Sequence, residues 1–398
     1  MHYSPEFRLL AACSWLAPEG HADRQAALIA GLCGEAIDWA RFAHLVDRHE
    51  IQCLAYENLR RHGGGGVPDH LMAALKEQKV RIAVASLRQA AETLELGRKF
   101  SGEGVELLPL KGALLSSQLY GEPGMRNSCD IDVLVRRDQV DRACELLEAE
   151  GYRCSLLGGV LTPRQRDYLQ VNFHHLEYSQ PEKGLFLELH WRFGALWTPE
   201  QMDDVWRRTV AIDWMGYRTG TLDDDILLLF LCDHGARHGF YSLKWVGDIA
   251  RLVSGRDEAS WQGLIERAEK LDLLRTLAHA GLLVNRLCGV ELPASLRSHI
   301  TKDHAVVAIT DAVCRQYLLR DAGGISAGKP GGSLKLAWLK LRLRPSIPLW
   351  RSLKPKMVAI FDFMDFPLPD RFFWLYYPLR PVTVVWRHFF RSGGGKRP

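Results

Sequence analysis

Apolar residues return every three or four positions through "DWARFAHLVDRHEIQCLAYENLRR" (residues 38–61), the period of a helix with one buried face. "GGGGVPD" (63–69) interrupts that pattern, and Pro68-Asp69 opens a second amphipathic stretch running to about Phe100. Residues 1–103 therefore read as a helical N-terminal region.

The period then shortens. "VELLPL" (105–110) is a short apolar strand, "ALLSSQLY" (113–120) a short helix, "DIDVLV" (130–135) a strand, and "RDQVDRACELLEAEGY" (137–152) a helix closed by Gly151. "NFHHLEYS" and "GLFLELHWRF" follow as alternating strands joined by a turn at "QPEKG". This order predicts an α/β, or α+β, sheet core over 104–197. Residues 198–325 read as helical again, with Asp223 or Asp224 as the N-cap of "ILLLFLCDHGARHG". Residues 326–398 form a tail that begins with a Gly-rich link and becomes basic, aromatic and Pro-rich. No internal repeat is present.

The composition of this 398-residue chain, 47% hydrophobic and 25% charged, is that of a soluble globular protein long enough for two or three domains. Nine cysteines without a C-x-x-C pair, and an N-terminus without a basic segment leading into an apolar one, point to reduced thiols and a cytoplasmic setting. No run of about 18 uncharged apolar residues predicts a spanning helix.

Charge changes the picture of the tail. The net charge of +4 hides 13 Lys/Arg against 3 Asp from Gly331 to Pro398, a net of +10, which leaves the first 330 residues at −6. Three readings fit: the tail packs on the body, rests on an anionic membrane surface, or holds a polyanion. The clustering of Trp374, Tyr376 and Tyr377 with Leu and Phe favours packing. The acidic remainder lacks a basic, aromatic track for single strands, which speaks against nucleic acid.

Chemistry concentrates in "DIDVLV". Strand side chains alternate faces, so Asp130 and Asp132 point one way while Ile131 and Val133 point the other. Two carboxylates side by side invite a hard cation such as Mg²⁺, with Mn²⁺ as a substitute. Glu188 in "FLELHW" shares a strand face with Phe186 and His190, and would bring a third carboxylate if its strand lay beside that of Asp132.

The pattern "LKGALLSSQLYGEPGMRNSCDIDVLV", then a helix ending in "GY", then "ELHW" and "HGARHGFYSLKWVGDIARLV", resembles the uncharacterised bacterial nucleotidyltransferase-like family of the polymerase-beta-type superfamily. The tail segment "LPDRFFWLYYPLRPV" is similar to that family's closing segment. The resemblance implies a core in which a glycine turn cradles a triphosphate and a D-x-D pair binds Mg²⁺. Carried across, Gly112 matches the turn glycine, Asp130 and Asp132 the metal pair, and Glu188 the third carboxylate. Members often lie near polysaccharide or lasso-peptide biosynthesis genes. The acceptor implied is accordingly a small molecule, glycan precursor, peptide or protein.

This chain departs from the superfamily in placing Ala113, not Ser or Gly, after the turn glycine. Lys111 and Arg126 are the candidates to supply the missing phosphate contact; a solvated lysine at a strand end is the alternative for Lys111. His190 either meets phosphate or orients a carboxylate. An ion pair with Arg192 is the competing role for Glu188.

His234 and His238, four apart on a helix, lack the Glu of an H-E-x-x-H frame, and with Arg237 and Lys244 they read as cleft residues. The cysteines, Cys129 included, read as small buried residues, and no P-loop is present. The expected activity is transfer of a nucleoside monophosphate from an NTP to an acceptor. The alternatives are a noncatalytic nucleotide-binding scaffold of the same fold and an RNA-modifying, toxin-like transferase.

Overall fold

The computed structural model describes residues 3–154, 161–319, 342–348 and 357–390. The Gly-rich link and much of the basic run expected in the tail lie outside them. The chain opens with α1 (Pro5–Ala12), α2 (Ala22–Cys33), α3 (Trp39–His49), α4 (Gln52–His62) and the long α5 (Asp69–Gly102). The caps are local: Ser4 accepts from the Phe7 amide, and Asp38 from the Arg41 amide.

The sheet core follows: β1 (Leu108–Pro109), α6 (Gly112–Tyr120), β2 (Ile131–Leu134), α7 (Val140–Ala149), β3 (Arg153–Cys154), α8 (Pro163–Asn172), β4 (His175–Gln180) and β5 (Leu185–His190). Spatial order is β1-β2-β5-β4-β3. Only the β2–β5 pair is parallel; the others are antiparallel.

Alternation sorts this sheet into two faces. Ile131, Val133, Leu176, Tyr178, Leu187 and Leu189 pack on one side against α7 and the end of α5. The tail closes the same core: Phe363, Phe373 and Tyr376 are buried in it, and the Tyr376 hydroxyl donates to Phe366 O at 2.7 Å. Trp374 and Tyr377 were expected to dock as well, but they are exposed, at 59% and 41%. The opposite face of the sheet carries the polar residues Asp132, His175, Glu188 and His190.

Beyond the sheet come α9 (Pro199–Arg207), β6 (Thr209–Trp214), β7 (Tyr217–Leu222), α10 (Asp224–Arg237), α11 (Leu243–Val253), α12 (Glu258–Lys270), α13 (Leu274–Cys288), α14 (Ala294–Lys302) and α15 (His304–Val313). Asp223 caps α10, accepting from the Ile226 amide at 2.8 Å. The all-helical reading of this region is corrected by the β6–β7 hairpin, whose two-residue turn places Met215 and Gly216 at φ +51° and +78°. Both turn residues left-handed is the geometry that suits the twist of two paired strands. Among the described residues, no helix is long and apolar enough to cross a membrane.

Candidate active site

Glu188 stands directly across from Asp132 in the parallel β2–β5 register, so both side chains project from the same face of the sheet. Asp130 lies just ahead of β2, where the Ser128 hydroxyl donates to its Oδ1 at 3.3 Å. Oxygens of Asp130, Asp132 and Glu188 all lie within 4.8 Å of one another. The competing role for Glu188, an ion pair with Arg192, is not found among the described residues: Arg192 donates to the carbonyls of Val171, Phe173 and Trp197.

Three carboxylates this close need compensating charge. Lys111 Nζ is 2.8 Å from Asp132 Oδ1, and His190 Nε2 is 3.2 Å from the same oxygen and 3.0 Å from Glu188 Oε2. Burial works against ionising Asp132, yet Lys111 and His190 outweigh it and hold the carboxyl well below the usual range. Burial likewise opposes a charged His190, and the bonds to Asp132 and Glu188 prevail, raising its affinity for a proton. Glu188 is lowered, its burial outweighed by the His190 hydrogen bond.

Asp130 has no such partner. The charge of Asp132, and then burial, push it from the ordinary 3.8 up to about 6. The other oxygen of Asp132, Oδ2, is buried without a hydrogen-bond partner among the described residues. A repelled carboxylate beside a buried carboxylate oxygen with no hydrogen-bond partner is a donor set suited to a hard cation, so the residues present fit Mg²⁺.

Gly112 opens α6 at φ +68°, a conformation glycine adopts without strain. No side chain caps this helix. It begins on a narrow cleft lined by Gln89, Thr93, Lys111, Asp130, Asp132 and Trp214. Uncapped amides at a helix N-terminus favour an anion. The solvated alternative for Lys111 is corrected here, because its side chain is only 9% exposed.

Two other candidate residues make structural contacts. Arg126 is buried, its Nε donating to Asp248 Oδ2 at 2.7 Å, which ties the guanidinium to α11. Lys244 is buried too, bonded to Glu50 and donating to Asn127 O at 3.0 Å. Together these pairs clamp the loop between α6 and β2. The Ser116 hydroxyl, accepting from the amides of Met125 and Arg126, fixes it from the other side.

Helix α10 supplies the wall facing the sheet. Arg237 Nη1 lies 3.2 Å from His174 Nε2, and burial and that guanidinium hold His174 well below its ordinary pKa. His234 is held neutral the same way, by burial and by the nearby Lys111 ammonium. His234 and His238 both pack against the Trp245 ring, at 5.3 and 5.6 Å between centroids. Cys129 is exposed, contrary to expectation, and its thiol is raised by burial of the sulfur and the charge of Glu50, which leaves it a poor nucleophile.

His174 and His175, which stand in no motif, bring their rings to 6.1 and 5.0 Å from that of His190. Gln89, Thr93 and Trp214, equally unmarked in the sequence, come to the cleft from α5 and the hairpin. No curated protein matches the chain. A family model described as uncharacterised nucleotidyltransferase does match it, over residues 35–289, a span that contains the carboxylate triad, the glycine turn and the α10–α11 wall. The chain belongs to this uncharacterised nucleotidyltransferase family.

Proposed function

We propose that this protein is a Mg²⁺-dependent nucleotidyltransferase that moves a nucleoside monophosphate from an NTP to an acceptor outside the nucleic acids. The observation that carries the reading is the convergence of Asp130, Asp132 and Glu188 beside the uncapped start of α6. Asp130 and Asp132 would hold the cation, with Glu188 as third ligand or as base toward an acceptor hydroxyl. When bound, the cation supplies charge to the phosphate oxygens and acidifies the attacking oxygen.

The remaining work falls to the chain. The α6 amides hold the triphosphate by their aligned dipoles. His190 keeps the carboxylates of Asp132 and Glu188 oriented, since one nitrogen reaches both. Lys111 neutralises Asp132, and with a cation held by Asp130 and Asp132 its ammonium would be free to meet a phosphate oxygen. Incubation with each of four labelled NTPs, Mg²⁺ and a panel of candidate acceptors (small molecules, glycan precursors, peptides and proteins) should give label transferred to an acceptor hydroxyl with release of pyrophosphate, both abolished by EDTA. Absence of metal-dependent binding of any NTP would remove the reading; binding without release would favour a scaffold.

The exchange at Lys111 has its own test. Lys111→Ala should raise the apparent KM for NTP by about tenfold or more, the worth of one charge-assisted hydrogen bond, and the effect should shrink with salt. The same variant should bind Mg²⁺ alone at least as tightly as the parent, because the competing ammonium is gone. Ala113→Ser should be tolerated. Nucleotide titrations at two ionic strengths decide it: parental NTP affinity for Lys111→Ala at low salt would leave the lysine no phosphate role.

A further inference from the structure

A second donor set overlaps the carboxylate triad, and its chemistry differs. His175 is the first residue of β4 and pairs across the sheet with His190 of β5, which puts both imidazoles on the face that carries Glu188. One ligand atom from each of His175, Glu188 and His190 lies within 4.8 Å of the others. The two rings are 5.0 Å apart and inclined by 31°.

Two features mark this set as more than packing. His190 is 4% exposed, and its Nδ1 is buried without a hydrogen-bond partner among the described residues. The Nδ1 of His175 is in the same state. Buried imidazole nitrogens with lone pairs or protons unmet are disfavoured unless something binds them. The set is also reachable, because the side chains of His175 and Glu188 remain 22% and 28% exposed.

Two imidazoles and one carboxylate are the ligands of a borderline divalent ion, Zn²⁺ foremost, and a poor match for Mg²⁺, which takes oxygen. We propose that His175, Glu188 and His190 form a Zn²⁺-class site that leaves a fourth position open, shares Glu188 with the triad and engages the His190 that hydrogen-bonds Asp132 and Glu188. Filling this site engages His190 and an oxygen of Glu188, and so competes with the hydrogen bonds by which His190 orients Asp132 and Glu188 in the triad. Zn²⁺ is then an inhibitor of whatever the triad does. The binding claim stands independently of the transferase reading; only the inhibition rests on it.

The test uses the full chain stripped of metal and titrated with Co²⁺, whose visible absorption reports a low-symmetry nitrogen and oxygen site, followed by displacement with Zn²⁺. The parent should bind one equivalent with intense visible bands. His175→Ala should weaken Co²⁺ and Zn²⁺ by at least tenfold, the second imidazole being lost, while Mg²⁺-dependent NTP turnover in zinc-free buffer stays parental. Turnover of the parent should fall with added Zn²⁺, and that of His175→Ala should resist the same concentration. A parent without visible bands, or a His175→Ala variant that binds Zn²⁺ as the parent does, overturns the site. Should the protein prove to have no turnover, the Co²⁺ titrations decide the site alone, so its failure is distinct from failure of the transferase reading.

Discussion

Asp132→Asn should lower metal-dependent NTP turnover by about three orders of magnitude, the rate equivalent of roughly 4 kcal/mol of lost charge stabilisation. Asp132 is the central member of the triad, paired across the sheet with Glu188 and carrying the orphaned Oδ2. An amide of the same size can keep its carbonyl oxygen toward Lys111 and His190, but it carries no charge and puts an NH2 group where Asp132 offers Oδ2 to a cation. The loss should therefore appear in kcat, and added Mg²⁺ should not recover it. Far-UV circular dichroism should stay parental, since the sheet core rests on Ile131, Val133, Leu187 and Leu189 on the other face. Turnover within tenfold of the parent at saturating NTP and Mg²⁺ would exclude Asp132 as an essential ligand.

The site's ingredients were legible in the sequence wherever they depended on local alternation. A period of two in "DIDVLV" and "FLELHW" separates apolar from acidic positions, and the sheet faces follow that separation. What alternation could not give was adjacency: β2 and β5 are more than fifty residues apart in the chain, and only their parallel pairing sets Glu188 against Asp132. His175 was within reach of a finer reading. With Gln180 and Leu185 closing the hairpin, counting back five positions on each side meets His175 opposite His190.

Other features were hidden for physical reasons. "TVAIDWMGYRTGTL" carries the Thr, Val, Ile, Trp and Tyr of a strand pair, but it is half exposed and turned by Met-Gly in place of Asn-Gly, so turn chemistry did not announce the hairpin. Arg126 and Lys244 are charged residues that a sequence places at the surface by default. Each is buried by a partner far along the chain, Asp248 and Glu50, and long-range ion pairs leave no trace in periodicity.

The two aspartates of the pair also differ in a way that only the structure reveals, and stability should report it. Asp132 is compensated by Lys111 and His190, whereas Asp130 bears the repulsion and is raised to about 6. A carboxyl raised in the folded state makes the fold less stable as pH climbs. The penalty is absent below the ordinary value of 3.8 and complete above about 6. At about 1.4 kcal/mol per tenfold change in proton affinity, it amounts to at most ~3 kcal/mol in metal-free protein. Asp130→Asn in EDTA should therefore be more stable than the parent by about 2 kcal/mol at pH 8, and the gain should fade as pH drops through 6 toward 4. Mg²⁺ should reverse the order at pH 8, stabilising the parent through binding while leaving the variant nearly unmoved. Denaturant unfolding at three pH values, with and without Mg²⁺, measures all of this. An Asp130→Asn protein no more stable than the parent at pH 8 in EDTA would mean that the repulsion at Asp130 is already relieved, and the argument from that repulsion to a cation site would fall.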